Sequence, residues 1–229
     1  MQFFTLAENA LMLQLGDKVN TALHQKLRHI QKSIDRLQNP AIIETVIGYT
    51  TLVIYFDPFQ TSHREIKRIL SHCIDQTSSM INSQPSTIHQ IPVCYEDSFS
   101  PDLSYVATTN GLTKQDVIKR HTDNTYLVHF IGFSPGFPFL GGMDLSIATP
   151  RKTRPRMNIP KGAVGIAGGQ TGIYPSSSPG GWQIIGRTPI ELVDLSNEQP
   201  TLLRAGDQLR FYAISKQQYL EWSGGKRSK

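Results

Sequence analysis

Six basic residues, Arg151, Lys152, Arg154, Arg156, Lys161 and Arg187, fall between Gly132 and Ile190 with a single acid, Asp144. The same stretch holds 12 of the chain's 18 glycines and 8 of its 14 prolines. Glycine leaves the main chain open to an approaching ligand and proline fixes φ, so clustering both builds loops of definite shape with accessible amides. Cations beside such amides favour an anionic ligand, a carboxylate or a phosphate. Arg187 follows the apolar run 182–185 after a single glycine and therefore sits at a strand end, where its planar fork can grip an anion at two points. Arg151, Arg154 and Arg156 belong to the run RKTRPR, whose members, taken singly, read first as a solvated loop.

Neighbouring side chains supply the other parts of a small pocket. Gln170 and Thr171 lie in a Gly-Gly-Gln-Thr-Gly turn, where their polar atoms can orient an amide or a carboxylate. Tyr174 and Trp182 offer flat faces with polar tips. Asp144 is a candidate general base, or else a partner for Arg151. One site is expected, with Asp144 and Arg187 in catalytic roles and Arg151, Arg154, Gln170, Thr171, Tyr174, Trp182 and Thr188 binding substrate. Phe133, Phe137 and Phe139 read as core or as a partner interface, and His129, inside an apolar run, as a structural histidine.

Several chemistries lack their spacing. Seven histidines occur, but there is no HExxH and no thiolate set, so no metal site built by this chain is expected. Ser134 stands between Phe133 and Pro135 rather than in a GxSxG elbow. Residues 181–188, GWQIIGRT, come within one substitution of the P-loop GxxxxGK[ST], which needs a strand before the first glycine and a helix after the threonine. Here 182–185 reads as the strand itself and 189–193 as another, so a P-loop is rejected and Arg187 is kept as an anion ligand. The net charge is +5, of which Lys226, Arg227 and Lys229 supply three units and the remainder +2. That balance does not suit a nucleic-acid surface. Cys73 and Cys94 form no CxxC pair, residues 1–4 carry no basic leader, and no apolar run reaches the ~20 residues of a membrane span. A cytoplasmic protein without a membrane partner is the expectation.

The elements that must position these residues fall into two groups. Leu11, Leu13 and Leu15 alternate as in a half-buried strand, and Val19, Leu23, Ile30, Ile34 and Leu37 recur at helical spacing until Asn39-Pro40 stops the helix. Two strands follow at 42–47 and 51–56, then a helix opened near Ser62 by an S-x-x-E pattern. Strand, helix, strand, strand, helix suits an α+β sandwich of ferredoxin-like type over 1–80. Residues 76–86, polar and ending near Pro85, read as a linker. Over 87–223 the sequence predicts a strand at 88–94, helices after Pro101 and at Thr113, a strand at 125–131, short strands among the glycines, and a closing strand at 208–214, followed by a basic tail at 224–229. Short strands joined by tight turns point to a mainly-β barrel.

The strings GFxPGFPFLGG, TPR, PxGxVGIAGGQTGIYP and SPGGWxxIGRTP, with NGLTxxxVIxxH, TYLVHFIGF and LRAGDQLRF around them, resemble the KipI family, also described as allophanate hydrolase subunit 1 or as the B component of 5-oxoprolinase (PxpB). The resemblance covers nearly the whole chain and implies a cyclophilin-like fold for the barrel. It also implies one of three roles. As the B component of an ATP-dependent 5-oxoprolinase, the chain would act with a KipA-like subunit and a LamB/YcsF-like subunit, with ATP and Mg2+ bound at the level of the complex. As a KipI-type protein it would inhibit a sensor histidine kinase, and a third role lies in a biotin-dependent urea carboxylase system.

Overall fold

The computed structural model describes residues 1–18, 21–77 and 88–224. The chain divides into two compact units, Met1–Ser86 and Thr87–Lys229. Most of the segment read as a linker, and all but Gly224 of the basic tail, lie outside the described residues. Among the described residues no helix is long and apolar enough to cross a membrane.

In the first unit, strands β1 (Gln2–Ala7), β2 (Ala10–Gln14), β3 (Ile42–Ile47) and β4 (Thr51–Phe56) form an antiparallel sheet in the order β1-β2-β4-β3. Helix α1 (Thr21–Arg36) joins β2 to β3, which run parallel to each other on either side of β4, while α2 (His63–Thr77) follows β4. Alternation decides the faces: Leu11 and Leu13 pair with Ile54 and Leu52, and all four are buried. Leu27, Ile30 and Ile34 of α1 and Ile66, Leu70 and Cys73 of α2 are likewise buried, and the helices pack on each other and on the sheet. Strand β1 is an addition to the expected order. The cap of α2 is half formed, since Glu65 N donates to Ser62 Oγ at 3.4 Å but the Glu65 carboxylate turns to Arg68.

In the second unit, seven strands close a barrel. They are β5 (Ile88–Cys94), β6 (Thr125–Ile131), β7 (Pro138–Gly141), β9 (Ala163–Ala167), β10 (Gln170–Ile173), β12 (Gln183–Arg187) and β13 (Gln208–Ile214), in the order β10-β7-β6-β13-β5-β12-β9. Only β5 and β13 pair in parallel; the other neighbours are antiparallel. A separate ribbon pairs β8 (Arg156–Ile159) with β11 (Ser178–Gly180). Helices α3 (Leu103–Thr109) and α4 (Lys114–Thr122) add Leu103, Val106 and Val117 to the apolar cluster formed by Ile91, Val128, Ile166 and Phe211. Each such fully buried side chain contributes on the order of 1.5–3 kcal/mol. Thr113 opens α4 with a reciprocal capping box to Asp116.

Two features depart from expectation. The run 189–193 makes no strand: Pro189 removes a donor, Ile190 N bonds Thr188 Oγ1, and only Val193 reaches an isolated bridge, with Thr201. A last helix, α5 (Lys216–Ser223), is absent from the sequence reading; Ser215 and Gln218 cap it reciprocally and Tyr219 anchors it.

Candidate anion-binding site

The acid that organises the basic loop is Asp102, at the N-cap of α3. Its carboxylate makes no capping bond and turns instead to the run RKTRPR. Arg156 Nη1 and Nη2 donate to its two oxygens at 2.6 and 2.7 Å, Lys152 Nζ at 3.2 Å and Ile184 N at 2.7 Å. The Asp102 amide returns a bond to Ile184 O at 2.9 Å. With 5% of the side chain exposed, burial alone would raise this carboxyl, but the bonds from Arg156, Ile184 N and Lys152 more than offset it and hold the group below its ordinary range. Arg156 is therefore half of a two-pronged pair rather than a solvated loop residue.

Further bonds tie the loop to the start of β12. Lys152 N donates to Gly181 O at 2.7 Å, and Gln183 Nε2 to Pro150 O at 2.9 Å. Anchored in this way, the loop presents Arg151 and Arg154 at the surface, and among the described residues neither makes an ion pair. They rim a cavity of about 440 Å³ with Tyr105, Thr153 and Gln183 over Asp102. Chemically this is a fixed cationic mouth. Its two inner cations, Lys152 and Arg156, share one buried carboxylate, and its outer pair is free to take an oxyanion.

The remaining predicted residues do not join that cavity. Arg187 ends β12, four residues from Gln183 and so ~13 Å along the strand. Its Nε donates to Lys161 O at 2.7 Å, and it lines a second cavity with Thr188. Thr188 is buried, with its hydroxyl engaged by Ile190 N. Thr171 lies inside the barrel: Thr171 Oγ1 donates to Gly165 O at 3.0 Å and accepts from His121 Nε2 at 3.0 Å, while Tyr95 Oη donates to His121 Nδ1 at 2.7 Å. Burial pushes His121 down to about 3, so it is neutral. Gln170, half-buried, begins β10. Tyr174 and Trp182 are 1% and 6% exposed and meet the Phe137 ring edge-on at 5.3 and 5.4 Å, so they are packing residues rather than pocket walls.

Asp144 does not meet Arg151. Asp144 Oδ1 accepts from Ser146 N at 2.9 Å, capping a short turn of helix, and Oδ2 lies 3.6 Å from Arg120. The Ser146 amide bond lowers its pKa, which makes it a poor general base. Of the three phenylalanines, Phe137 is buried and Phe139 half-buried, stacked on Phe130 at 4.5 Å. Phe133 is 69% exposed at φ 66°, a backbone region costly to a bulky side chain. The sequence reading missed Asp102, because an aspartate before a helix reads as an ordinary cap.

A family model described as carboxyltransferase domain, subdomain C and D, matches residues 1–203. The chain belongs to this family. It is 40% identical to the 5-oxoprolinase B subunit of Bacillus subtilis (strain 168) over 232 residues, 95% of each chain. Among solved structures, TTHA0988 superposes with a TM-score of 0.79 at 32% identity, covering 90% of this chain and 40% of that one. Kluyveromyces lactis urea carboxylase gives a TM-score of 0.80 at 20% identity over 98% of this chain and 23% of its own, a likeness of fold.

Proposed function

We propose that this chain is the B component of a multi-subunit, ATP-dependent 5-oxoprolinase that converts 5-oxo-L-proline to L-glutamate with a KipA-like and a LamB/YcsF-like subunit in the cytoplasm. The observation that carries the reading is its 40% identity to such a component over 95% of both chains. We also read the barrel as cyclophilin-like and the first unit as ferredoxin-like; the helix-linked strands β2 and β3 flanking β4 support the latter.

The substrate carries a carboxylate, a lactam N–H and a poorly electrophilic carbonyl. Transfer of the ATP γ-phosphoryl group to the carbonyl oxygen activates the carbon. One water then adds and the C–N bond breaks to leave an acyl phosphate, and a second water releases phosphate and glutamate. In this scheme Arg151 and Arg154 hold an oxyanion of the reactant, while Asp102 positions their loop through Arg156 and Lys152. The carboxylates near these loops do not fit a Mg2+ site: Asp102 is committed to Arg156 and Lys152, Asp144 to Ser146 and Arg120, and Glu191 to Lys161. No step of the scheme runs through a metal bound by this chain, and the metal's ligands are proposed to come from a partner subunit. Phe133 is proposed to contact such a partner.

The test is reconstitution. The purified chain alone should release no glutamate from 5-oxo-L-proline and MgATP, whereas the three subunits together should release glutamate and phosphate. Turnover by the single chain, or none by the complete mixture, would overturn the proposal.

A further inference from the structure

The cavity rimmed by Arg151 and Arg154 holds one polar group that the scheme above leaves unused. Gln183 opens β12, is 2% exposed, and lines that cavity with Asp102, Tyr105 and Thr153. Its Oε1 is buried and has no hydrogen-bond partner among the described residues. We propose that Gln183 is a specificity-determining residue: its Oε1 accepts the ring N–H of a cyclic amide whose neighbouring carbon bears the carboxylate held by Arg151 and Arg154. The inference rests on the oxoprolinase reading and deepens it, since it names the feature by which the reactant is chosen.

Three observations converge on this role. First, the amide is fixed in place and in orientation. Its main chain pairs with Ile166 of β9 inside the barrel sheet, and its Nε2 donates to Pro150 O at 2.9 Å. Turning the amide over would set two carbonyl oxygens against each other, so Oε1 is the atom left without a donor. Second, the other anchored acceptor in the wall is spent. The Asp102 carboxylate already takes bonds from both Arg156 nitrogens, Lys152 and Ile184 N, whereas Arg151, Arg154 and Lys152 can only donate and the Tyr105 and Thr153 hydroxyls can turn either way. Among the side chains that line the cavity, Gln183 Oε1 is therefore the fixed acceptor still open. A buried acceptor without a donor is unfavourable, and a ligand that brings an N–H relieves it. Third, the wall combines this acceptor with cations that have no acid of their own. Its complement is a donor next to an anion. In a lactam of an α-amino acid the ring nitrogen is bonded to the carbon that carries the carboxylate, so donor and anion leave the ring from adjacent atoms. A simple dicarboxylate or inorganic phosphate dianion offers the charge without the ring N–H.

The test compares 5-oxo-L-proline with 3-oxocyclopentane-1-carboxylate, which has the same ring, carbonyl and carboxylate but a methylene in place of the N–H. Both would be measured on the reconstituted three-component mixture, the first as substrate and the second as competitive inhibitor, with this chain either wild type or Gln183→Leu. In the wild type, Ki for the cyclopentanone should lie at least about 10-fold above KM for 5-oxo-L-proline, because it leaves Oε1 unpaired. In Gln183→Leu, kcat/KM should fall about 10-fold or more, while Ki for the cyclopentanone stays within about threefold or falls. A loop merely loosened by loss of the Pro150 bond would instead raise Ki and lower kcat/KM by the same factor. The wild-type comparison stands on its own should the leucine variant fail to fold. Turnover of 5-oxo-L-proline with Ki equal to KM in the wild type, an unchanged kcat/KM in Gln183→Leu, or a parallel loss for both compounds would each overturn this inference alone. No turnover by the wild-type mixture would overturn the oxoprolinase reading and this inference with it.

Discussion

Replacing Asp102 by asparagine should be among the most damaging single-atom changes in the second unit. The carboxylate accepts four bonds, two from Arg156, one from Lys152 and one from Ile184 N, with its side chain 5% exposed. Both oxygens accept from the guanidinium, so in either orientation asparagine turns an N–H toward Arg156 and also toward Lys152 or the Ile184 amide. Stripping one partner from a buried pair costs ~3–5 kcal/mol. The cationic side chains here are 28% and 30% exposed and can swing partly into water, which lowers the cost to ~2–3 kcal/mol. At ~2–4 °C per kcal/mol for a unit of this size, Tm should fall by about 5–10 °C. Arg156→Lys keeps the charge but loses one prong, and should cost roughly half as much.

Thermal and urea unfolding of the intact protein at pH 7.5 would measure both changes. The carboxyl is held below its ordinary range, so its contribution is present above the unfolded value of ~3.9 and fades as pH falls through the lower folded value. The wild-type and asparagine proteins should therefore converge in stability only in strong acid. A loss under about 0.5 kcal/mol at pH 7.5 would show that the network is a surface pair and that the loop is anchored elsewhere.

A second acid sensitivity comes from His121, which is buried and displaced to about 3. The unfolded chain binds this proton near pH 6.5 and the folded one does not, so stability should fall as pH drops below 6.5, by about 2 kcal/mol at pH 5. His121→Gln should flatten that slope in urea unfolding between pH 7.5 and 5, and an unchanged slope would contradict the neutral assignment. Phe133→Asn relieves a positive φ at an exposed position, so it should leave Tm unchanged or slightly higher while making capture of the KipA-like partner about 10-fold weaker. A loss of stability with normal capture would place Phe133 among folding residues. Gly136 has φ 80°, and an added Cβ would lie 2.1 Å from Val193 Cγ2; Gly136→Ala should therefore cost at least ~1–3 kcal/mol, measured by the same unfolding curves.

Periodicity revealed the elements whose one face is buried. Alternating Leu11 and Leu13 and helical Ile30 and Ile34 carry their burial in their spacing, whereas Leu37 of the same helical series is exposed and Val19 lies outside the described residues; β9 and β12 were legible as apolar runs, buried at nearly every position. Strand β1 and helix α5 were missed because their signals are local and weak: β1 is an edge strand, largely exposed, and α5 spans eight residues with one buried side chain. The basic character of the site could be read from composition, but its partition could not. Whether an arginine is free or paired depends on which acid the fold brings to it, and Asp102 reaches Arg156 across 54 residues. The aromatic and hydroxyl residues near the glycines looked like pocket walls because glycine loops suggested exposure. In the fold Thr171 faces the barrel interior, where it completes the bonds of His121, while Tyr174 and Trp182 pack on Phe137 in a second buried cluster.

Whether the loop rim of this barrel serves a 5-oxoprolinase can be decided by steady-state kinetics of the reconstituted three-component mixture in which this chain carries Arg151→Gln with Arg154→Gln. Each lost charge-assisted bond is worth ~1.5–3 kcal/mol, so kcat/KM for 5-oxo-L-proline should fall by about 100-fold or more while the complex still assembles. A normally assembled complex with kcat/KM within about twofold of wild type would show that the rim does not hold the reactant.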